Sequence, residues 1–335
     1  MINAPVQGPV SEQEFFAERV RIPHLPPCRR LGVGTAHLGQ MLDTDRQSQG
    51  VRVLHEAWGA GFLLTDSAPI YGQPHGERTM RHRAEQMVGQ ALGSWQGPPP
   101  ILCTKLDVVA PGSGESWRDT LAAQHRQSRT LYDSHPVQGL ALHDPHRARE
   151  QADTFVQTAM DYLHEQHDRR TVAAIGVGGG GPAVQQQCLS RGAVSYVLTY
   201  MRLSALSLQG LADIVPAARA HGAALILGSP LLMGLLGDRF EAWTAKPPRF
   251  LPPVLIERAR QFHRLAKQVA LSMSQLALRF ALSLPMAEMV LTGLSSPEAL
   301  ADTRQAFEQG PLPPDLYADI WRLAQSGGAE PRLGG

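Results

Sequence analysis

Cysteine is scarce in this chain of 335 residues, which contains only Cys28, Cys103 and Cys188. Their spacing matches no paired motif, so we predict no disulfide framework, in keeping with a reducing compartment. No apolar run approaches the roughly 18 residues that a transmembrane helix needs. The N-terminus lacks the basic start and apolar core of a secretory signal. These absences favour a soluble, cytoplasmic protein.

An excess of charge of one sign is also missing. The chain has 31 Lys and Arg against 30 Asp and Glu, a formal net charge of +1. Such a balance gives no electrostatic reason to expect a nucleic-acid or membrane partner. Hydrophobic residues nevertheless make up 43% of the chain, enough to bury a large core. We therefore expect a globular protein with a small-molecule partner, while the sequence leaves the oligomeric state open.

Eight short runs along the chain are continuously apolar rather than alternating, which is typical of strands covered on both faces. Segments with helical spacing separate them; Arg46–Trp58, for example, places apolar side chains three or four residues apart. The predicted strands are Leu31–Thr35, Phe62–Asp66, Ile101–Lys105, Gly139–His143, Val172–Val177, Ala193–Tyr200, Ala223–Ser229 and Met289–Leu294.

Eight strand–helix repeats predict an α/β fold of the (β/α)8 TIM-barrel type with a short N-terminal extension. The main alternative is an open doubly wound sheet, which would prefer a glycine-rich phosphate loop after its first strand. The first turn, Thr35–Gly39, is not such a loop. We place an N-terminal tail at residues 1–19, one barrel domain at 20–327 and a C-terminal tail at 328–335.

Three consecutive predicted strands end in Asp66, Lys105 and His143, and Tyr71 follows the first of them by five residues. Taken singly, each is more often an ordinary turn, cap or strand end. In a barrel, however, parallel strands bring their carboxyl ends to one rim, where such enzymes place their chemistry. There the ammonium of Lys105 would lower the pKa of Tyr71, and Asp66 would keep Lys105 charged. This pattern predicts proton transfer by Tyr71, with His143 bonded to the substrate oxygen, coupled to hydride transfer by a cofactor.

At these residues the sequence resembles the aldo-keto reductase family, and the resemblance extends over residues 31–307. It implies an eight-stranded barrel, a nicotinamide cofactor and a catalytic tetrad of Asp66, Tyr71, Lys105 and His143. Its last two motifs are most similar to the aldose 1-dehydrogenase branch, which oxidises aldoses at C1. The motifs are Gly61–Gly72, Glu85–Leu92, Cys103–Lys105, Leu142–His143, Gly228–Leu236 and Gly293–Glu298.

The resemblance also implies where the cofactor binds, with its pyrophosphate along Ser229–Leu232 and its adenosine at Leu294–Thr303. The second segment has no Lys or Arg for the 2′-phosphate of NADP, which favours NAD slightly, although either cofactor remains open. The candidate cofactor-binding residues are Gly34, Thr35, Gly178, Gly179, Tyr200, Ser229, Pro230, Leu231, Gly234, Gly293, Ser295 and Ser296.

Several positions depart from the family pattern. Gly178-Gly179 replaces the Ser-Asn pair that holds the nicotinamide carboxamide, and the usual Gln of the sixth strand is missing. Gly228 stands where an aromatic usually stacks on the nicotinamide. The segment Gln73–His82 is an insertion that we expect over the active-site rim. Loops 107–116 and 237–253, the second with Trp243, are candidates for lining the pocket.

Two competing motifs are weaker. Gly176–Gly181 fits G-x-G-x-x-G, yet no acidic residue stands about 20 positions on, where a ribose partner would belong. We expect it to make a tight turn instead. His143 and His146 have the H-x-x-H spacing of metal ligands, but a catalytic zinc site needs at least three protein ligands, so no metal is predicted.

The sequence therefore predicts a NAD(P)-dependent oxidoreductase that acts on an aldose-type sugar or a small aldehyde or ketone. One alternative is a biosynthetic reductase that acts on a larger natural-product intermediate. Another is a partner subunit that binds the cofactor without catalysis. The intact tetrad argues against this second alternative, while the missing carboxamide clamp argues for it.

Overall fold

The structure is a computed structural model and describes residues 7–16, 22–73, 80–133, 135–179 and 181–326. Eight parallel strands form one closed barrel in sequence order, with the first strand paired to the eighth. This confirms the predicted (β/α)8 architecture. The strands are β1 (Leu31–Gly34), β2 (Leu64–Asp66), β3 (Ile101–Asp107), β4 (Val137–His143), β5 (Ala174–Gly179), β6 (Tyr196–Tyr200), β7 (Ala224–Gly228) and β8 (Met289–Gly293).

Helices surround the barrel, and among those in the described ranges none is long and apolar enough to cross a membrane. The predicted helix Arg147–His164 is wrong at its start, because Pro145–Gln151 forms a 3-10 segment in which Arg149 has a φ of 51°. The helices are α1 (Glu12–Phe15), α2 (Gln47–Gly59), α3 (Arg83–Ser94), α4 (Trp117–Leu131), α5 (Ala152–Asp168), α6 (Pro182–Ser190), α7 (Ile214–Ala220), α8 (Phe240–Ala245), α9 (Pro253–Gln268), α10 (Met273–Ser283), α11 (Pro297–Glu308) and α12 (Pro314–Gln325).

Part of the N-terminal extension packs on the barrel domain. The side chain of Phe15 is fully buried, and its ring lies 5.5 Å from that of Phe307, which also contacts Phe62. The backbone amide of Val10 donates a hydrogen bond to the carbonyl of Ser283. These contacts attach the described residues 10–16 to the outer helices.

The barrel interior is filled rather than hollow. Tyr196 lies inside it, and Gly139 and Gly176 leave the space that its ring occupies, since a Cβ on Gly176 would lie 2.4 Å from that ring. Apolar residues from the strands and from residues 22–28 pack into the same inner cluster. Because this interior is packed, chemistry is confined to the rim at the carboxyl ends of the strands.

Candidate active site

The four predicted catalytic residues lie together at the carboxyl-terminal rim. Asp66 ends β2, Lys105 lies near the end of β3, His143 ends β4, and Tyr71 lies in the turn after β2. All four line one cavity of about 350 Å³. Their convergence follows from the register, in which Asp66 is paired with Cys103 on the next strand.

Lys105 is the centre of the hydrogen-bond network in this cavity. Its Nζ donates to Asp66 Oδ2 at 2.5 Å and to the Ser67 carbonyl oxygen at 2.7 Å. It also shares a hydrogen bond with the Tyr71 hydroxyl and lies 4.7 Å from the centre of the Tyr71 ring. The ring of Tyr71 meets that of His143 edge-on, with 5.5 Å between centroids. The phenol therefore lies between a fixed cation and an imidazole.

Burial changes the electrostatics that the sequence predicted. Burial raises the pKa of Tyr71 above its usual value, although the charge of Lys105 opposes that shift. The expectation of a lowered pKa is thus wrong overall, because the cost of a buried phenolate outweighs the nearby ammonium. Burial alone would lower the pKa of Lys105, but the carboxylate of Asp66 and the hydrogen bonds that Lys105 makes with Asp66 and Tyr71 raise it. Lys105 is therefore charged and Tyr71 neutral at neutral pH.

A residue that the sequence analysis assigned to a loop contacts the tetrad. Strand β3 continues two residues beyond the predicted end at Lys105, so Asp107 lies in the strand rather than at the start of a pocket-lining loop. Its carboxylate Oδ1 lies 2.7 Å from Nδ1 of His143. The feature of the sequence that could have indicated this contact is a second charged residue, two positions after Lys105, at the end of the same strand.

The remaining cavity wall is mixed in character. Ile70, Leu198 and Leu291 form an apolar part of it, whereas Asp144 and Arg147 contribute charges from the segment after β4. Arg147 Nε donates to Asp144 Oδ2 at 3.0 Å. The cavity therefore offers hydrogen-bonding groups beside an apolar floor, as small-molecule sites commonly do.

A second cavity of about 520 Å³ adjoins the first and runs along the loop after β7 to the start of α11. The two share His37, Ser229, Met233 and Gly293 in their walls. The predicted cofactor-binding residues that line one or both cavities are Gly34, Gly179, Tyr200, Ser229, Pro230, Leu231, Gly234, Gly293, Ser295 and Ser296.

Two predicted cofactor-binding residues do not line either cavity. Thr35 is buried, and its hydroxyl donates to the Asp66 carbonyl and to Ser67 Oγ, both at 3.0 Å. Gly178 lies within β5 and is paired there with His143 and Leu198. Both residues bond to neighbouring strands or turns next to the site.

The second cavity contains features that fit an elongated polar ligand. The hydroxyl of Thr292 is buried in its wall and has no hydrogen-bond partner among the described residues. Ser229, Leu232 and Met233 all have left-handed φ values, between 49° and 58°, in one short loop. Such strain in non-glycine residues is concentrated at ligand-binding sites. A dinucleotide lying along this loop is consistent with both observations.

Charged groups surround the far end of this cavity. Glu298 and Asp302 line it from α11. Arg46, which the sequence analysis missed because it lies far away in the chain, donates from Nη2 to the Ser295 carbonyl at 3.1 Å. A hydrogen bond from Ser296 lowers the pKa of Glu298, and the charge of Arg46 lowers it further. The guanidinium of Arg46 is therefore already engaged.

The other predicted features have mixed outcomes. Trp243 does not line either cavity, and instead packs on Phe250 with the guanidinium of Arg239 over its ring. Within the insertion Gln73–His82, residues 74–79 lie outside the described residues. In the described ranges, no three His, Cys, Asp or Glu side chains are grouped to hold a metal ion.

Curated proteins resemble this chain at low identity. The D-threo-aldose 1-dehydrogenase of a Pseudomonas species is 22% identical over 309 residues, which cover 87% of this chain and 92% of that protein. The L-galactose dehydrogenase of Arabidopsis thaliana is 25% identical over 276 residues, or 79% of this chain and 80% of that protein. Both are similar to this chain over most of their length.

Solved structures share the fold. The glycerol dehydrogenase of Gluconobacter oxydans superposes with a TM-score of 0.72 at 20% identity, covering 95% of this chain and 99% of that one. An aldo/keto reductase of Klebsiella pneumoniae, in complex with NADP and acetate, has a TM-score of 0.68 at 17% identity, covering 94% and 98%. At such identities the likeness establishes the barrel architecture.

A sequence profile supplies the family. The profile of the aldo/keto reductase family matches residues 30–325, which include all eight strands and the whole rim described above. Proteins of this family are NAD(P)-dependent oxidoreductases, in agreement with a buried tyrosine–lysine–aspartate network beside an elongated cleft. The chain therefore belongs to the aldo/keto reductase family and is an oxidoreductase of that type.

Proposed function

We propose that this oxidoreductase interconverts the alcohol and carbonyl forms of an aldose-type sugar or a similarly small aldehyde or ketone. Tyr71 is the general acid and base in this proposal. The observation that carries it is the Tyr71 hydroxyl, which is hydrogen-bonded to Lys105 inside a small cavity. Lys105 is in turn bonded to Asp66.

The proton chemistry follows from this geometry. In the reducing direction the O–H bond of Tyr71 breaks and a new O–H bond forms on the former carbonyl oxygen. The positive charge of Lys105 then stabilises the phenolate that remains, and Asp66 keeps that charge in place. In the oxidising direction the same phenolate takes the hydroxyl proton back. When bound, a nicotinamide cofactor supplies or accepts the hydride.

The size of the reactive cavity favours a small substrate. Its volume of about 350 Å³ is near the lower end of the range for ligand sites, roughly 300–1,000 Å³. A monosaccharide suits this volume better than a bulky natural-product intermediate does. Two relatives are named for their action on aldoses, D-threo-aldose and L-galactose, which supports the same substrate class. Asp144 and Arg147 are positioned to bond sugar hydroxyl groups.

NAD is the cofactor that the charges favour. The carboxylates of Glu298 and Asp302 would repel a 2′-phosphate at the far end of the cleft, whereas a free ribose hydroxyl can donate to a carboxylate. Arg46 could attract a phosphate there, but its guanidinium already bonds the Ser295 carbonyl and faces Glu298. We therefore propose that NAD binds more tightly than NADP.

Tyr71→Phe tests the proton-transfer role. Because general acid–base catalysis contributes about 10²- to 10⁴-fold, kcat should fall by that order on the best substrate from a panel of aldoses, aldehydes and ketones. The affinity for NADH, followed by nicotinamide fluorescence, should change little. Tyr317→Phe is the matched control, because its hydroxyl has no hydrogen-bond partner among the described residues and lies on α12. Activity that survives the Tyr71 change would refute the assignment.

Glu298→Lys tests the cofactor proposal. Replacing the carboxylate at the start of α11 by an ammonium should tighten NADPH binding relative to NADH, as fluorescence titration would show. Glu308→Lys makes the same charge change at the exposed opposite end of that helix and should leave the ratio unaltered. If the unmodified protein binds NADPH more tightly than NADH, the proposed preference is wrong.

A further inference from the structure

A buried carboxylate stands behind one member of the tetrad. The side chain of Asp107 is 1% exposed, and its Oδ1 is 2.7 Å from Nδ1 of His143. The two residues are register partners on β3 and β4, so the strand pairing itself brings them together. An ionised carboxylate is costly to bury unless it is hydrogen-bonded or paired. The imidazole supplies that partner here.

A second buried side chain fixes the backbone of Asp107. Gln124 on α4 accepts from the Asp107 amide at 2.8 Å and donates to the Asp107 carbonyl at 3.0 Å. Gln124 is 2% exposed, so both hydrogen bonds lie out of water. This double contact holds the end of β3 against α4. The backbone of Asp107 is therefore fixed in the position from which its carboxylate bonds His143.

The geometry determines the orientation of the His143 ring. A carboxylate can only accept, so Nδ1 of His143 must carry the hydrogen in this contact. Nε2, on the opposite side of the ring, has no hydrogen-bond partner among the described residues, and the side chain lines the reactive cavity. The partner of one ring nitrogen sets the proton state and orientation of the other.

We propose that Asp107 is a positioning residue, which bonds Nδ1 of His143 and so holds the ring with Nε2 directed at the substrate oxygen. This inference rests on the proposed function, because it needs a substrate oxygen in the cavity. Asp107 itself touches no substrate and acts through His143. In other sites too, a carboxylate that bonds one ring nitrogen of a histidine orients the second nitrogen.

Several other ionisable groups face His143, and the test must separate Asp107 from them. Each of them lines the cavity that His143 lines. They are Asp66 on β2, Tyr71 after β2, Lys105 on β3, Asp144 and Arg147 after β4, Tyr200 on β6 and His37 after β1.

Asp107→Asn is the first test, because it preserves shape and removes the charge. Mutating a group that orients a metal-ligating histidine costs about 10- to 100-fold in metal affinity or activity. We expect kcat to fall by a comparable amount here, while NADH affinity stays within about twofold. A general structural defect would also weaken NADH binding, so the split between turnover and cofactor affinity is the readout.

Glu85→Gln is the matched control. Glu85 pairs with another buried histidine, His82, at 2.5 Å, and lies outside the reactive cavity. It therefore undergoes the same carboxylate-to-amide change next to an imidazole. Its kcat should coincide with that of the unmodified protein.

A double-mutant comparison decides whether Asp107 acts through His143. In a His143→Gln background, Asp107→Asn should cause less than a further twofold loss, because the group it orients is already missing. A full further loss in that background would overturn the proposal, and so would unaltered activity in Asp107→Asn alone. Activity that survives Tyr71→Phe would instead refute the proposed function, which keeps the two failures distinct.

A measurement on the unmodified protein covers the case in which Asp107→Asn does not fold. Proton NMR should show a strongly downfield Nδ1–H resonance from a histidine bonded to a carboxylate. The resonance should disappear in His143→Gln and persist in Glu85→Gln. Its absence from the unmodified protein would overturn the proposal.

Discussion

Removing the ammonium of Lys105 should destabilise the protein as well as inactivate it. The side chains of Lys105 and Asp66 are only 1% and 7% exposed, and their charges are 2.5 Å apart. Lys105→Met keeps most of the aliphatic volume but leaves the Asp66 carboxylate buried without its counter-ion. Breaking a buried pair in this way costs about 3–5 kcal/mol. The Ser67 carbonyl also loses a donor, which adds about 1 kcal/mol.

A second substitution should recover stability without recovering activity. In Asp66→Asn/Lys105→Met neither position of the pair carries a charge, so the double variant should unfold at a higher urea concentration than Lys105→Met alone. Replacement of both members of a buried pair is often nearly neutral. Turnover should stay absent, because nothing stabilises the phenolate of Tyr71. Stability and activity would thus be separated at one site.

Urea unfolding measures these differences through the midpoint, provided that the slope with denaturant is unchanged. Lys267→Met, an exposed position on α9, is the control for loss of a positive charge. It should alter the free energy of unfolding by less than about 0.5 kcal/mol. If Lys105→Met is as stable as this control, the ion pair with Asp66 does not contribute the roughly 3–5 kcal/mol expected above, and the prediction is wrong.

Three further changes test other parts of the structure. Burial, followed by the charge of Arg129, lowers the pKa of His125 from 6.5 to about 4. The unfolded chain therefore binds a proton that the folded chain does not, so the free energy of unfolding should fall as pH drops from 6.5 towards 4. Urea titrations at several pH values should show this fall reduced in His125→Gln. Gly176→Ala should lower the thermal midpoint, because its Cβ would lie 2.4 Å from the Tyr196 ring and overpacking costs about 1–3 kcal/mol. Adding Tyr196→Leu to Gly176→Ala should raise the midpoint again, and no recovery would show that the clash with Tyr196 is not the cause. Phe15→Ala should lower the free energy of unfolding by about 3–5 kcal/mol, as measured by calorimetry, because the ring of Phe15 is fully buried. A thermal midpoint equal to that of the unmodified protein would contradict this prediction.

The barrel was predictable because its strands are buried on both faces. Such strands are read as apolar runs, and a polar residue such as Asp66 or His143 marks where each one reaches the rim. The order of strands follows from the alternation with helices, so placing these residues on one rim needed no knowledge of side-chain contacts. The ends of strands were less accurate, because pairing with a neighbour can extend a strand past a charged residue.

Three features of the site depend on contacts that local sequence does not encode. Asp107 is contacted by His143 and Gln124, which belong to other elements of the fold. The raised pKa of Tyr71 depends on how thoroughly the fold excludes water from it. Arg46 reaches Ser295 from the opposite end of the chain. None of these three features can be predicted without the three-dimensional packing.

Pairing between the first and last strands determines when the protein becomes active during folding. Gly34 on β1 is the register partner of Gly293 on β8, and both lie in the wall of the reactive cavity. The wall of the pocket is therefore incomplete until β8 has been synthesised and has paired with β1. A form without the β1–β8 pairing lacks part of that wall, so recovery of turnover after dilution from denaturant requires closure of the barrel rather than collapse alone.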